Sequence, residues 1–239
     1  MAKKGECRHQ KRISKPKAIP ITDKKAKTWI TTTGPGPHPK RSSIPLSVLL
    51  RDVLGMAKSN REARAIIVQR LVEIDGKART GEDFPVGLMD VVGFPKADKY
   101  YHIIVDWKGR LQPMEIKKDE AKRKILRVVN KHVAPGARLN LTFHDGKNMK
   151  GDNHVHCGDS VVVSLPEVKL LEHLKLESGA RCLIREGKHA GRIVTLNGII
   201  ARKAGKPAEA KVSGGKEEGE FITVAKYLFV VDSKFGVSG

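Results

Sequence analysis

Apolar residues are spread unevenly along this chain, and from Ile44 onward they become periodic. In "IPLSVLLRDVLGMA", Leu46, Leu49, Leu50, Val53 and Leu54 recur at helical spacing, which predicts a helix buried along one side. "SNREARAIIVQR" follows with Ser59 and Glu62 in the capping-box arrangement, so a second helix is predicted there. "LVEIDGKAR" then alternates like a strand, Val72 and Ile74 leading into Asp75-Gly76, a pair that favours a tight hairpin turn. "FPVGLMDVVGF" supplies another strand. Residues 45–94 therefore read as a small α+β unit.

Strands dominate beyond Lys96. "YYHIIVDWKGRLQPMEI", "ARLNLTFHDGKNM" and "GDSVVVSLP" are β-rich runs parted by glycine-containing turns, with one short basic helix expected at "KDEAKRKILRVV". Residues 95–174 form the predicted central β-rich domain. A last unit, residues 175–239, presents short strands around the glycine-bounded loop in "GARCLIREGKHAGRIVTLNGIIARK" and two more in "EEGEFITVAKYLFVVD". A barrel of that size is marginal alone and is expected to lean on its neighbours. The fold class is multidomain α+β.

Residues 1–44 follow no such pattern. They hold twelve Lys or Arg against Glu6 and Asp23, and they include "GPGPHPKRS", whose prolines and glycines oppose both helix and strand. The expectation is a basic extended arm with little to bury, ordered only when laid along phosphates; a solvated tail is the plainer alternative.

Charge sharpens this picture. With 46 Lys and Arg against 26 Asp and Glu, the formal net charge is +20, which calls for an anionic partner, nucleic acid first and an anionic membrane surface second. No apolar run approaches the ~18–20 residues of a membrane span, and "MAKKGECRHQKR" lacks the apolar core of a signal peptide, so a cytoplasmic location is expected. Cys7, Cys157 and Cys182 suit reduced thiols better than a disulfide framework. Aromatic content of 5% favours phosphate contact over reading bases on many rings. On the second predicted helix, Ala63, Ile66 and Ile67 share one face, while Lys58, Arg61 and Arg64 gather opposite and continue into Lys77 and Arg79. A basic stripe of this kind can track a phosphate backbone, although a solvated charged face has the same pattern.

"SNREARAIIVQRLVEIDGKAR" resembles the S-four RNA-binding domain, with Ser59, Arg61, Glu62, Ala63, Ile67, Val72, Asp75 and Gly76 at that family's spacing. "GARCLIREGKHAGRIV" resembles a KOW motif in a small SH3-like barrel, with Gly179, Gly187 and Gly191 in register. It departs at Ala190, where lysine is common, and at Val194, where glycine is common. Together with "GPGPHPKR", "DWKGRL", "DEAKRKI" and "HDGKNM", these features resemble one family over essentially the whole chain. That family is the small-subunit ribosomal protein S-four-e of archaea and eukaryotes, here of the archaeal type. The resemblance implies a structural constituent of the small ribosomal subunit that binds ribosomal RNA beside neighbouring small-subunit proteins. It implies no enzyme activity, no cofactor, no membrane and no small-molecule substrate.

The candidate RNA-binding residues are Lys3, Lys4, Arg8, Lys11, Arg12, Lys15, Lys17, Lys40 and Arg41 in the arm, and Lys58, Arg61, Arg64, Lys77 and Arg79 in the S-four unit. Lys188, His189 and Arg192 are those of the KOW loop. Two sharper readings compete with this one. "WKGRLQ" resembles the "GRLD" stretch of pseudouridine synthases, but Gln112 stands where their nucleophilic aspartate would be, and an amide cannot form that adduct. "HVHC" offers His154, His156 and Cys157 as metal ligands, but on a strand Cys157 would point away from the two imidazoles. No catalytic residue and no metal site is expected. A free RNA-modifying enzyme built on the S-four unit, or a DNA-associated architectural protein, are the remaining alternatives.

Overall fold

A computed structural model describes residues 9–135, 138–200, 207–214, 219–232 and 235. In the arm, β1 (Gln10–Lys11) pairs antiparallel with β2 (Trp29–Ile30). Next, β3 (Ile44–Pro45) leads into α1 (Leu46–Val48), which widens into a π-type turn over Leu49–Val53. The second helix, α2 (Asn60–Val68), starts where the capping pattern predicts: the Glu62 N–H donates to Ser59 Oγ at 3.2 Å. Glu62 in turn accepts from the Lys58 N–H at 2.8 Å, one residue earlier than a standard capping box. β4 (Glu73–Ile74) and β5 (Lys77–Ala78) form the expected hairpin, with φ of 53° at Asp75 and 71° at Gly76, the sign that a type I′ turn needs.

The single strand expected over 84–94 is two. β6 (Pro85–Val86) pairs with β3, and β7 (Val91–Phe94) pairs with β4 and with β8 (Lys99–Val105). With β9 (Leu111–Ile116), these make a five-stranded sheet in the order β5-β4-β7-β8-β9. The sheet thus runs across residue 94, where the sequence changes character.

A second correction concerns "KDEAKRKILRVV". Only Glu120–Lys122 makes a helical turn, and the rest opens the twelve-residue strand β10 (Arg123–Ala134). All five residues from Lys124 to Val128 are buried. A run covered on both faces carries no alternation, so sequence periodicity alone cannot distinguish it from a helix. Around β10 assemble β11 (Arg138–Phe143), β12 (Asn148–Lys150), β13 (Ser160–Ser164) and β14 (Lys169–Leu174), in the order β12-β11-β10-β13-β14. The last sheet comprises β15 (Arg181–Ile184), β16 (Ile193–Ile200), β17 (Glu209–Ser213), β18 (Glu220–Val224) and β19 (Leu228–Val230), in the order β18-β17-β16-β15-β19.

The expectation that the arm has little to bury and orders only along phosphates is also corrected. Ala18, Ile19, Ile21 and Ile30 join a hydrophobic core containing Leu46, Leu49, Ile67 and Ile103, which extends to Ile125, Leu183 and Phe229. "GPGPHPKRS" is a strap laid on the chain itself. The Gly34 N–H donates to the Asp83 carbonyl at 2.8 Å, and a Cβ on Gly36 would lie 2.6 Å from Pro85. His38 is buried, with its ring so close to Gly87 that a Cβ there would meet it at 2.3 Å. The glycines leave room for the Asp83 and Pro85 side chains and the His38 ring, a packing that an arm lying only on RNA would not require.

Beneath the strap lies a buried ionic cluster. Lys124, wholly enclosed, places its Nζ 2.6 Å from Asp75, 2.6 Å from Asp90 and 3.4 Å from Asp145. Lys147 reaches Asp75 at 2.7 Å and Asp145 at 3.2 Å, and His38 lies 3.0 Å from Asp90. Burial alone would favour the neutral form of each group. The carboxylates nevertheless hold the Lys124 ammonium above its ordinary range, while Lys124 and His38 hold Asp90 well below the usual carboxylate range. His144, at the cluster's edge, accepts from the Arg127 N–H at 3.2 Å and donates to the Leu88 carbonyl at 3.2 Å, as a neutral imidazole must.

Burial, reinforced by Lys124, pushes His144 down to about 4, and burial pushes His102 down to about 4 as well. Both rings stay neutral in the fold but protonate near 6.5 once unfolded, so their contribution is complete above pH 6.5 and is lost as pH falls toward 4. Urea unfolding is expected to show about 2 kcal/mol less stability per histidine at about pH 5 than at pH 7.5; a flat profile over that range would contradict buried neutral rings. Gly87→Ala should cost about 1–3 kcal/mol, measured by thermal unfolding, because neither the strap nor His38 has room to move.

Candidate nucleic-acid interface

The strap and the β1–β2 pair bring four of the predicted arm residues together. Lys11, Lys17, Lys40 and Arg41 line one groove, with His9, Pro16 and Trp29 completing its wall. Lys11, Lys17 and Arg41 are exposed, and Lys40 is half-buried. A second groove shares Lys17, Lys40 and Arg41 and continues past Gly109 to Arg185, Glu186 and Gly187. The arm's cationic side therefore runs into the loop between β15 and β16.

Two contacts hold that path in shape. The Leu111 N–H donates to the Ala18 carbonyl at 2.8 Å, tying the arm to β9. Gly191 sits on the Asp106–Trp107 backbone so tightly that a Cβ would lie 2.6 Å from the Asp106 carbonyl carbon. Positive charge is dense here. The half-buried Lys15 ammonium, which donates to the Ile19 carbonyl, is pushed down by burial and then by Lys24, Arg110 and Arg12. Lys15, another of the predicted arm residues, lines neither groove.

Other predicted residues lie elsewhere. Lys3, Lys4 and Arg8 lie outside the described residues. Arg12 is a correction: it is buried, donates to the Asp23 carbonyl at 2.9 Å and pairs with Asp52 at 3.3 Å, so its guanidinium pins the arm to the helical segment. Arg61 and Arg64 are exposed on α2, and Lys58 is exposed just before its N-cap; none of the three lines either groove. Lys77 is exposed beside the hairpin turn, where Gly76 packs on Pro166. Arg79 is half-buried with its guanidinium 4.6 Å from the Phe84 ring centre.

In the β15–β16 loop, Lys188 and Arg192 are exposed, while the His189 ring stacks on Phe221 at 4.2 Å. That ring is occupied by packing. His154, His156 and Cys157 sit exposed on a turn, and among the described residues no three His, Cys, Asp or Glu side chains converge as metal ligands.

Sequence reasoning missed Trp29, Trp107, Lys108 and Arg185. Trp29 is 55% exposed and Trp107 66% exposed, with the Lys108 ammonium 4.2 Å from the centre of the Trp107 ring system. An apolar residue type gives no sign of exposure in the sequence; only the fold reveals it.

Residues 44–92 match the S4 domain, and residues 97–170 match Ribosomal family S4e. The small ribosomal subunit protein eS4 of Archaeoglobus fulgidus is 40% identical over 226 residues, 95% of this chain and 94% of its own length. That of Methanosphaera stadtmanae is 37% identical over 231 residues, 97% of this chain and 95% of its own. The crystal structure of 30S ribosomal protein S4e from Thermoplasma acidophilum superposes with a TM-score of 0.69 at 31% identity, covering 81% of this chain and 96% of the other. With this similarity spanning nearly the whole length, and with an S4 domain where the basic helix and the hairpin lie, the chain belongs to the ribosomal family S4e.

Proposed function

We propose that this protein is a non-enzymatic structural constituent of the small ribosomal subunit, in the cytoplasm, which binds the subunit's ribosomal RNA and touches neighbouring small-subunit proteins. The observation that carries this reading is the convergence of Lys11, Lys17, Lys40 and Arg41 in one groove, on a chain whose relatives are small ribosomal subunit proteins. Four cations from separate stretches of sequence, held together by the strap, form a surface that neutralises consecutive phosphates. Lys58, Arg61 and Arg64 offer a second patch on the S4 helix, and Lys77 a third beside its hairpin.

The C-terminal sheet is read as an SH3-like barrel of KOW type. Its support is the strand order β18-β17-β16-β15-β19 and the loop held by positive φ at Gly187 (103°) and Gly191 (79°). The extension of the arm's groove to Gly187 gives that loop a place on the same RNA path, with Lys188 and Arg192 as its phosphate contacts. The alternative of a pseudouridine synthase lacks its nucleophile, since position 112 is glutamine.

Binding of purified protein to small-subunit ribosomal RNA should weaken by roughly 10³–10⁵ between about 50 and 200 mM salt, as neutralising some 6–10 phosphates requires. Filter binding measures it, and an affinity indifferent to salt would contradict the phosphate reading. Arg61→Ala combined with Arg64→Ala should weaken binding while leaving circular dichroism unchanged, because both side chains project from the exposed face of α2. Normal binding by that variant would make the helix face merely solvated.

A further inference from the structure

The chain has two tryptophans, and both are exposed. Their settings differ. Trp107 already has the Lys108 ammonium 4.2 Å from its ring centre, so it carries an internal cation. Among the described residues, Trp29 has one ring contact, edge-on with His9 at 5.9 Å between ring centres, and it forms part of the wall of the groove that holds Lys11, Lys17, Lys40 and Arg41. Its backbone is fixed by pairing with Lys11, and the adjacent Ile30 is buried in the core, so the indole is held out on a rigid support.

An indole left 55% exposed keeps a large apolar face in water. Burying it against protein would require an apolar partner, and the groove around it is cationic. A nucleobase satisfies both requirements: its π face covers the indole while its phosphates lie among the four cations. We infer that Trp29 is a stacking platform for one unpaired nucleotide, so that the arm groove recognises a single-stranded or bulged stretch of RNA in preference to a continuous duplex. This inference rests on the RNA-binding reading above and narrows it. In a duplex, each base already stacks on its neighbours and cannot offer its face to the ring, whereas an unpaired base can. Phosphate contacts alone would not discriminate between the two.

The test uses the full chain with Trp107→Phe, which leaves Trp29 as the only tryptophan emitter. The probes are a ten-nucleotide single-stranded RNA and a ten-base-pair RNA duplex, each titrated at low salt. Saturation with the single strand should quench Trp29 fluorescence markedly, and the duplex should quench it little. In the same background, Trp29→Ala and Trp29→Leu should each weaken single-strand binding about tenfold and duplex binding by less than twofold, while Trp29→Phe retains most of the single-strand affinity. Leucine keeps apolar bulk without a π face, so a loss shared by Ala and Leu but not Phe cannot be ascribed to packing within the arm. Single-strand affinity of the Ala and Leu variants equal to that of their Trp29 parent, or saturation without quenching, would overturn the platform while leaving phosphate binding intact. Failure of the parent protein to bind either RNA would overturn the RNA reading and the platform with it.

Discussion

Lys124 is the group on which the rest of the structure depends. Its ammonium is enclosed in protein and meets Asp75 of the S4 hairpin, Asp90 of the turn before β7 and Asp145 of the β11–β12 turn. Three carboxylates this close would repel one another strongly in a medium from which water is excluded; one buried cation, assisted by Lys147, makes their proximity tolerable. Such a cluster contributes little net stability compared with an apolar core of equal volume, because desolvation offsets most of the attraction. What it supplies is selectivity of arrangement. Lys124 is the one group that all three carboxylates share, so removing it would leave Asp75 and Asp145 with Lys147 alone and Asp90 with His38 alone, and the docking of hairpin, turn and central sheet that brings the three to it is favoured.

The arm is locked by the same cluster. His38 bonds to Asp90 in a space that Gly87 leaves open, while Arg12 reaches Asp52 on the helical segment. With Ile19, Ile21 and Ile30 in the shared core, the arm is held at Arg12, along its middle and at His38. The consequence for function is preorganisation. Lys11, Lys17, Lys40 and Arg41 are held together by the chain's own contacts, so on the proposed RNA-binding reading less ordering entropy opposes binding than if the arm folded onto RNA.

What the sequence made legible follows from how far each signal reaches. The Ser59 cap, the α2 face and the Asp75-Gly76 hairpin are local, and each appears where the pattern predicts it. The order of motifs was specific enough to indicate the family. β10 was misread because a strand covered on both faces loses its alternation, and its buried lysine looked like part of a basic helix. The strap was misread because prolines and glycines argue against regular structure but say nothing about close packing. Within the interface, basic residues were visible as residue types, but their partners were not. Arg12 turned inward to Asp52, and Trp29 turned outward, each for reasons of tertiary contact that no local window contains.

The central claim is that the arm, the S4 unit and the central sheet form one body around the buried lysine before RNA is bound. Native-state hydrogen exchange on the free protein tests it most directly. The amides of Arg12, Gly34 and Leu111, which donate to Thr28, Asp83 and Ala18 respectively, should exchange as slowly as the Asp75 amide of the hairpin. All should be released together in the same global opening. Fast exchange at Arg12 and Gly34 beside a protected Asp75 would show an arm that is undocked in the free protein and would contradict the account.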